Sequence, residues 1–437
     1  MAKLSKDLSA YLENCIPEAH KLLEELCLIP APSGFEDERA EYVKNWLEQI
    51  GAEGVYIDSA KNVIFPLGCD GKNDLTVFAA HTDTVFPAET KLTFTRDEKN
   101  FYCPGVGDDT ACLVMMLLAI KYIVQKGVTP KGGILFVANA CEEGLGNLKG
   151  TRRLFEDYKG RIGRFYTFDG RYVYTNDHCV GSHRYAIECT TEGGHSFSAF
   201  GNANAITALS RFIADLYTVT VPAKEGTKTT YNVGMIEGGT SVNTIAQSAK
   251  MLYEYRSDDA ECLAMMKKTF EEKLAAAREK NYGTFSVELV GVRPCQGEID
   301  EKIHKAMVDR VKQVCTEETG VPCVGKSGST DCNIPMSIGV PAVCVGSYQG
   351  GGAHTLEEWL EIDSIPVGLR ITARLILDYF NLESKKDRLS RDCLFVSWEH
   401  FEKSSQTFKN FKQKNEEAYS PLVRTHSRNL SLFAFNS

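Results

Sequence analysis

The sequence predicts an α/β fold: an open, mostly parallel sheet with helices on both faces, interrupted by a smaller α+β domain. Three observations predict it. Short apolar runs rich in strand formers alternate with helical patterns in the first half of the chain. The middle changes to a βαββαβ order, and a further strand-type run, 340–345, follows it.

Taken in order, residues 22–28 and 37–50 carry apolar side chains at helical spacing. Strand-type runs follow at 75–80, 134–138 and 165–168, with a long apolar helix, 111–124, between the first two. In the middle, 184–190 alternates polar and apolar, and 203–217 sets Ile206, Leu209, Ile213 and Leu216 at helical spacing. Strands at 231–236 and 250–255, a helix at 258–280 and a strand at 284–290 complete the split pattern of a ferredoxin-like domain. Turn residues gather near 175–181 and 291–297. The expected organisation is a discontinuous main domain (residues 1–178 and 296–383), an inserted ferredoxin-like domain (179–295) and a tail (384–437). The tail holds ten Lys or Arg against six Asp or Glu, a net of +4, without clean periodicity, and no chemistry is assigned to it.

Composition bounds the function. A length of 437 residues suits two or three domains, and 43% hydrophobic with 24% charged residues is the balance of a soluble protein with a sizeable core. The formal net charge of -9 argues against a nucleic-acid partner, which calls for a basic face. No run approaches the roughly 20 apolar residues that span a bilayer, and the N-terminal stretch lacks a signal-peptide core. The fifteen cysteines are odd in number and form no C-x-x-C pair, so they read as small core residues in a reducing compartment. A cytoplasmic location is expected, with neither membrane nor nucleic acid as partner.

The chemistry-bearing residues fall where an α/β sheet places its functional groups, beyond the carboxyl ends of strands. LTVFAA runs into His81-Thr82-Asp83, ILFVANAC into Glu142-Glu143, and FYTF into Asp169. Asp108-Asp109 stand at the mouth of the apolar helix, where Asp109 also suits an N-cap, and His354 lies nine residues past Val345. Imidazole and carboxylate are the ligands of a zinc ion that keeps a position open for water. A pair of ions about 3.5–4 Å apart needs a shared carboxylate, and an Asp at a helix mouth is placed to be one. If the chain is extended, His81 and Asp83 point to one side, so Asp83 can accept the second ring N–H of His81. Adjacent Glu142 and Glu143 point to different sides, so one can bind metal while its neighbour serves as general base.

The set HTDT, GVGDDTA, CEEGLGN, YTFDG and GGAHTLEEW resembles the M20 metallopeptidases, nearest to the peptidase T (tripeptide aminopeptidase) branch. The resemblance runs from about Leu22 to about Leu382 and leaves out the tail. It implies two zinc ions per subunit: His81 and Asp169 on one, Glu143 and His354 on the other, with Asp108 bridging. It implies Glu142 as general base and proton donor, and Asp83 as support for His81. In GGHSFSAFGNANAI it points to His195 as a lid residue that polarises the scissile carbonyl, the alternative being a satisfied turn histidine. Asn243 in GGTSVNTIA and Arg256 in YEYRSDD would hold the substrate's carboxylate end, for which the arginine fork is suited; Arg256 otherwise reads as an ordinary ion-pair partner. The inserted domain would act as lid and homodimer contact. One departure is visible: many relatives carry Asp-Asp-Lys at the bridge, and here Thr110 replaces the lysine.

The expected activity is hydrolysis of short peptides. An M20-type deacylase or carboxypeptidase on the same centre is the nearest alternative, with an N-acyl amino acid as substrate in the first case. A metal-free binding protein on this fold is the alternative of a different class, and it would be expected to lack Glu142 or a ligand.

Overall fold

The computed structural model describes residues 5–280 and 282–381; the tail, 384–437, lies outside the described residues. In chain order the main strands are β1 (Tyr56–Ile57), β2 (Val63–Leu67), β3 (Leu75–His81), β4 (Ile134–Asn139), β5 (Ile162–Phe168) and β6 (Tyr174–Cys179). The middle segment supplies β7 (Gly181–Thr190), β8 (Thr229–Gly238), β9 (Ser248–Ser257) and β10 (Thr284–Arg293), and the chain returns through β11 (Val324–Gly328) and β12 (Ala342–Val345). One eight-stranded sheet has the order β1-β2-β4-β3-β5-β12-β6-β11. Its centre, β4-β3-β5-β12, is parallel throughout, and antiparallel pairs appear only toward the edges.

Parallel strands covered on both faces must be apolar on both sides, and β3 and β4 are buried at every position. Alternate residues feed two cores. Phe78, Ala80, Phe136 and Phe168 face the layer that contains the helices Cys112–Lys126 and Ser364–Leu377. Val77, Ala79, Leu135 and Phe165 face Leu154, Phe155, Ile334 and Met336 on the other side. Phe78 sits among Phe136, Tyr166 and Phe168 with ring centroids 5.2–6.2 Å apart. Truncating it to alanine would cost about 3–5 kcal/mol. The helix Cys112–Lys126 is apolar almost all round because it is buried almost all round, and it ends at Gly127 in the left-handed conformation.

The middle segment forms its own antiparallel sheet, β8-β9-β7-β10, covered by the helices Ala205–Leu216 and Ala260–Glu279. Both helices are capped by a side chain, Asn204 and Asp259 respectively. The strand order is that of a ferredoxin-like unit, with a separate core around Tyr253, Tyr255, Phe212 and Phe270. One expectation needs correction here. Residues 175–179, within the stretch expected as turn, belong to strand β6, with only Val180 between it and β7. Strand β11, which pairs with β6, was not expected at all.

Candidate metal centre

Every proposed donor leaves the large sheet at the same end. His81 closes β3, Glu142 and Glu143 lie just past β4, Asp169 directly follows β5, and His354 lies in the loop after β12. Asp108 comes from an irregular turn, Val106–Ala111, that feeds the helix Cys112–Lys126. The turn starts at Gly105, whose φ of +78 a side chain would strain and whose Cβ would stand 2.7 Å from Thr84 Cγ2.

The Asp108 carboxylate lies between two imidazoles. Its Oδ1 is 3.2 Å from His81 Nε2, and its Oδ2 is 3.2 Å from His354 Nε2. His354 Nε2 is also 3.0 Å from Glu143 Oε1. Ligand atoms of His81, Asp108 and Asp169 lie within 4.8 Å of one another, as do those of Asp108, Glu143 and His354. His81 makes a third group with Glu142 and Glu143. The side chain of His81 is 1% exposed and that of His354 is 55% exposed, so solvent reaches the cluster from the His354 side.

The electrostatics are those of crowded acids around two bases. Burial opposes it, but hydrogen bonds from His354 and His81 hold the Asp108 carboxyl well below its ordinary range. Burial and the neighbouring Asp108 push Asp169 up, and burial likewise raises Glu143. Hydrogen bonds to Asp108 and Glu143 raise His354 to about 10. Carboxylates that oppose one another's ionisation at such spacing, mixed with imidazole, are a donor set that a pair of divalent cations fits. Zinc suits it, and with two carboxylates to each imidazole the set also suits manganese.

Neighbouring side chains fix these donors. Asp83 does so on two sides, through its backbone carbonyl as well as its carboxylate. His81 Nδ1 lies 3.0 Å from the Asp83 backbone carbonyl and 3.4 Å from its carboxylate, because the chain turns after β3. The Asp83 carboxylate also accepts the N–H groups of Glu142 and Glu143, both at 2.9 Å, and the Ser33 hydroxyl at 2.5 Å. That loop needs holding, since Cys141, Gly144, Asn147 and Leu148 all have positive φ. Glu36 accepts the Cys141 N–H, and Asn62 accepts the Ala140 N–H. On the other side, Glu358 accepts three N–H groups, from Gly105, Gly107 and Asp108, at 2.7–2.9 Å.

The sequence missed Glu358, Arg293 and Asp331. Arg293 donates to Glu142 Oε1 at 3.0 Å, and Asp331 is buried against Asn139 and Thr151. Arg293 and Asp331 carry no local pattern; Glu358 sits inside the GGAHTLEEW motif as a second acid that the motif alone does not distinguish. Thr110 is buried, and its hydroxyl has no partner.

The three residues expected at the substrate stand apart from this cluster. His195 and Asn243 lie on adjacent backbone segments, with the Ser196 N–H donating to the Asn243 carbonyl at 2.9 Å, and both are exposed. His195 Nδ1 accepts the N–H of Phe197 at 3.3 Å. Arg256 forms a fork on Glu254 at 2.7 and 3.0 Å. Among the described residues, none of the three makes a hydrogen bond or ion pair to the donor cluster. Glu254 also pairs with Arg184, which donates to the Gly144 carbonyl in the loop after Glu143. A cavity of about 210 Å³ lies here, between Leu145 of that loop and Arg184, Asn232 and Glu254.

A family model described as Peptidase family M20/M25/M40 matches residues 77–378. Carboxypeptidase G2 from Pseudomonas sp. (strain RS-16) is 25% identical over 320 residues, covering 71% of this chain and 75% of that protein. The [LysW]-lysine/[LysW]-ornithine hydrolase of Sulfurisphaera tokodaii is 25% identical over 358 residues, covering 80% of this chain and 92% of its own length. Among solved structures, the aminopeptidase PepT of Bacillus cereus ATCC 10987 aligns with a TM-score of 0.61 at 21% identity, over 83% of this chain and 99% of that one.

Proposed function

This chain belongs to the M20/M25/M40 peptidase family, and within that family we propose that it hydrolyses short peptides, di- and tripeptides first, at a two-zinc centre. The observation that carries the reading is the Asp108 carboxylate, which offers one oxygen toward His81 and the other toward His354. His81 and Asp169 would hold one ion, and Glu143 and His354 the other, with Asp108 shared. Bound there, the ions would supply Lewis acidity toward a water and toward the scissile carbonyl.

The protein's own residues do the rest. Glu142 takes the proton from the attacking water and returns it to the departing amine. Arg293 occupies Oε1 of that carboxylate, and among the described residues Oε2 makes no hydrogen bond, which leaves one oxygen for the proton. Asp83 keeps Glu142 and Glu143 in register through their N–H groups. His195 is assigned to the oxyanion, and Asn243 with Arg256 to the substrate's carboxylate end, roles that require the middle segment to close over the cluster.

The middle segment is also the proposed contact between two copies of the chain. A cytoplasmic location fits the cysteines, every one of which is free among the described residues. No helix among the described residues is long and apolar enough to cross a membrane. A second reading, carboxypeptidase-type or N-acyl cleavage at the same centre, is favoured by the likeness to carboxypeptidase G2 and to the LysW-conjugate hydrolase.

Metal content and turnover measured on one preparation test the proposal. About two zinc ions per chain and chelator-sensitive cleavage of a di- and tripeptide panel are expected. Preferred cleavage of N-acyl amino acids would select the second reading, and no turnover with zinc or manganese supplied would leave a binding protein. Glu142→Ala should lower kcat about 10²–10⁴-fold with both ions retained. Loss of metal in that variant would exchange the roles of Glu142 and Glu143.

A further inference from the structure

We propose that Arg293 is a positioning residue of the hydrolytic centre, holding the Glu142 carboxylate from the last position of β10, so that docking of the middle segment sets the base. The inference rests on the reading of Glu142 as the base. Arg293 ends the strand Thr284–Arg293 and is buried. Its Nη1 donates to Glu142 Oε1 at 3.0 Å, and its Nη2 donates to the backbone carbonyl of the same residue. Nη1 also reaches the carbonyl of Ser329 at 3.2 Å and its hydroxyl at 3.3 Å.

Two features separate this pair from an incidental buried ion pair. The fork grips one residue twice, on carboxylate and on carbonyl, fixing the Glu142 side chain together with its peptide. A lysine offers its donors from one nitrogen and lacks the two fixed arms that reach carboxylate and carbonyl here. Moreover, Arg293 Nε is buried with no partner, so the guanidinium forgoes a hydrogen bond in the pose that holds Glu142. Burying a guanidinium carries a desolvation penalty that an apolar pair of similar size avoids, so stability alone does not account for it.

Neighbouring contacts tie the strand to the same loop. The Val292 N–H donates to Asn147 Oδ1 at 2.9 Å, and Arg152 Nη2 donates to the Val292 carbonyl at 2.5 Å. From β7, Arg184 donates to the Gly144 carbonyl. The loop 142–152 is therefore held from the large sheet by Asp83 and from the middle segment by Arg293, Val292 and Arg184. A shift of that segment is transmitted to Glu142, and misplacement of a reacting group by 1 Å can cost about 10²-fold in rate.

The test uses the zinc-loaded full chain with Arg293→Ala, Arg293→Lys and Glu142→Ala. Arg293→Ala should keep the wild-type metal content and a KM within about threefold, while kcat falls about 10²-fold. Added guanidinium should restore kcat at least about tenfold with no rise in melting temperature, which a merely structural role would not allow. The double variant should be no slower than Glu142→Ala alone, since the two residues act as a unit. If Arg293→Ala does not fold, Arg293→Lys decides: a kcat at least about tenfold lower at full metal content supports the proposal, and wild-type kcat overturns it. Unchanged kcat in Arg293→Ala, or a loss that tracks lost metal or lies in KM alone, also overturns it. Turnover surviving in Glu142→Ala would instead remove the base assignment itself, a different failure read from a different variant.

Discussion

Asp108 is where the chemistry converges, because a carboxylate between two imidazoles can serve two ions at once. Replacing it removes a ligand from both. Asp108→Ala should therefore leave well under one zinc per chain and no measurable turnover, whereas Asp83→Ala should keep partial metal and lose about 10–100-fold in affinity. Elemental analysis with a competing chromophoric chelator measures both, and full zinc occupancy in Asp108→Ala would defeat the shared-ligand assignment. A second residue-scale prediction concerns His20, which packs edge-on against Phe101 with ring centroids 4.9 Å apart. Its Nε2 is buried without a partner, and burial lowers its pKa below the usual 6.5. The folded protein then binds fewer protons at this ring than the unfolded chain does. The stability it contributes is present above about pH 6.5 and lost as pH falls below that value. Relative to wild type, His20→Leu should thus gain stability between pH 7.5 and 5.5 in urea unfolding, and a relative loss would reverse the sign. The residue scale is also where reading from sequence reached furthest. His81, Glu143, Asp169 and His354 follow strands whose apolar runs mark their ends, Asp108 precedes the apolar helix Cys112–Lys126, and the structure brings ligand atoms of the five into overlapping groups. Asp83 shows what stayed out of reach: its carboxylate stands 3.4 Å from His81 Nδ1, but its hold on the Glu142 and Glu143 N–H groups, about 60 positions on, leaves no local pattern.

At the scale of elements, what was legible followed burial. Strands β3 and β4 are buried at every position and are visible as unbroken apolar runs. Strands β6 (YTNDHC) and β11 (VGKSG) lie at one side of the sheet, offer no run or alternation, and went unread. The βαββαβ order was readable because each of its elements has one wet face. The partner of Glu142 was not, because Arg293 is 151 positions away and no local period reports it. The same segment leaves one edge open. Strand β8 is outermost in its sheet, with Met235 and Ile236 exposed and a bulge at Gly234, while the opposite edge, β10, is tied to the loop after Glu143. An exposed apolar strand edge invites pairing with another copy. We therefore expect the chain to sediment at twice its 48.5 kDa mass, and Ile236→Lys or Val233→Pro to shift it toward the monomer with metal content unchanged. A wild-type monomer at micromolar concentration would remove the contact.

At the scale of the whole molecule, the proposed ligands and the separate cores predict how metal changes stability. All five proposed ligands come from the large sheet and its loops, and none from the middle segment, whose core is its own. Without cations, four carboxylates (Asp108, Glu142, Glu143 and Asp169) are gathered at one end of that sheet, where burial and the neighbouring acids oppose the ionisation of Asp169 and Glu143. Cations that bind only the folded cluster stabilise it by mass action, about 4 kcal/mol at a thousandfold excess over the dissociation constant. For a chain of this size that should raise the melting temperature by several degrees. The gain should be uneven. Hydrogen exchange should slow on adding zinc in β3, β4 and the turn at Val106–Ala111, and remain nearly unchanged in the helix Ala205–Leu216, whose buried residues belong to the core of the middle segment. Asp108→Ala should abolish both the thermal shift and the slowed exchange. Equal protection across both cores would mean that the two unfold as one body, with Arg293, Val292 and Arg184 coupling them strongly enough to share the metal's stabilisation. Protection confined to the middle segment would place the cations elsewhere and withdraw the centre built on Asp108.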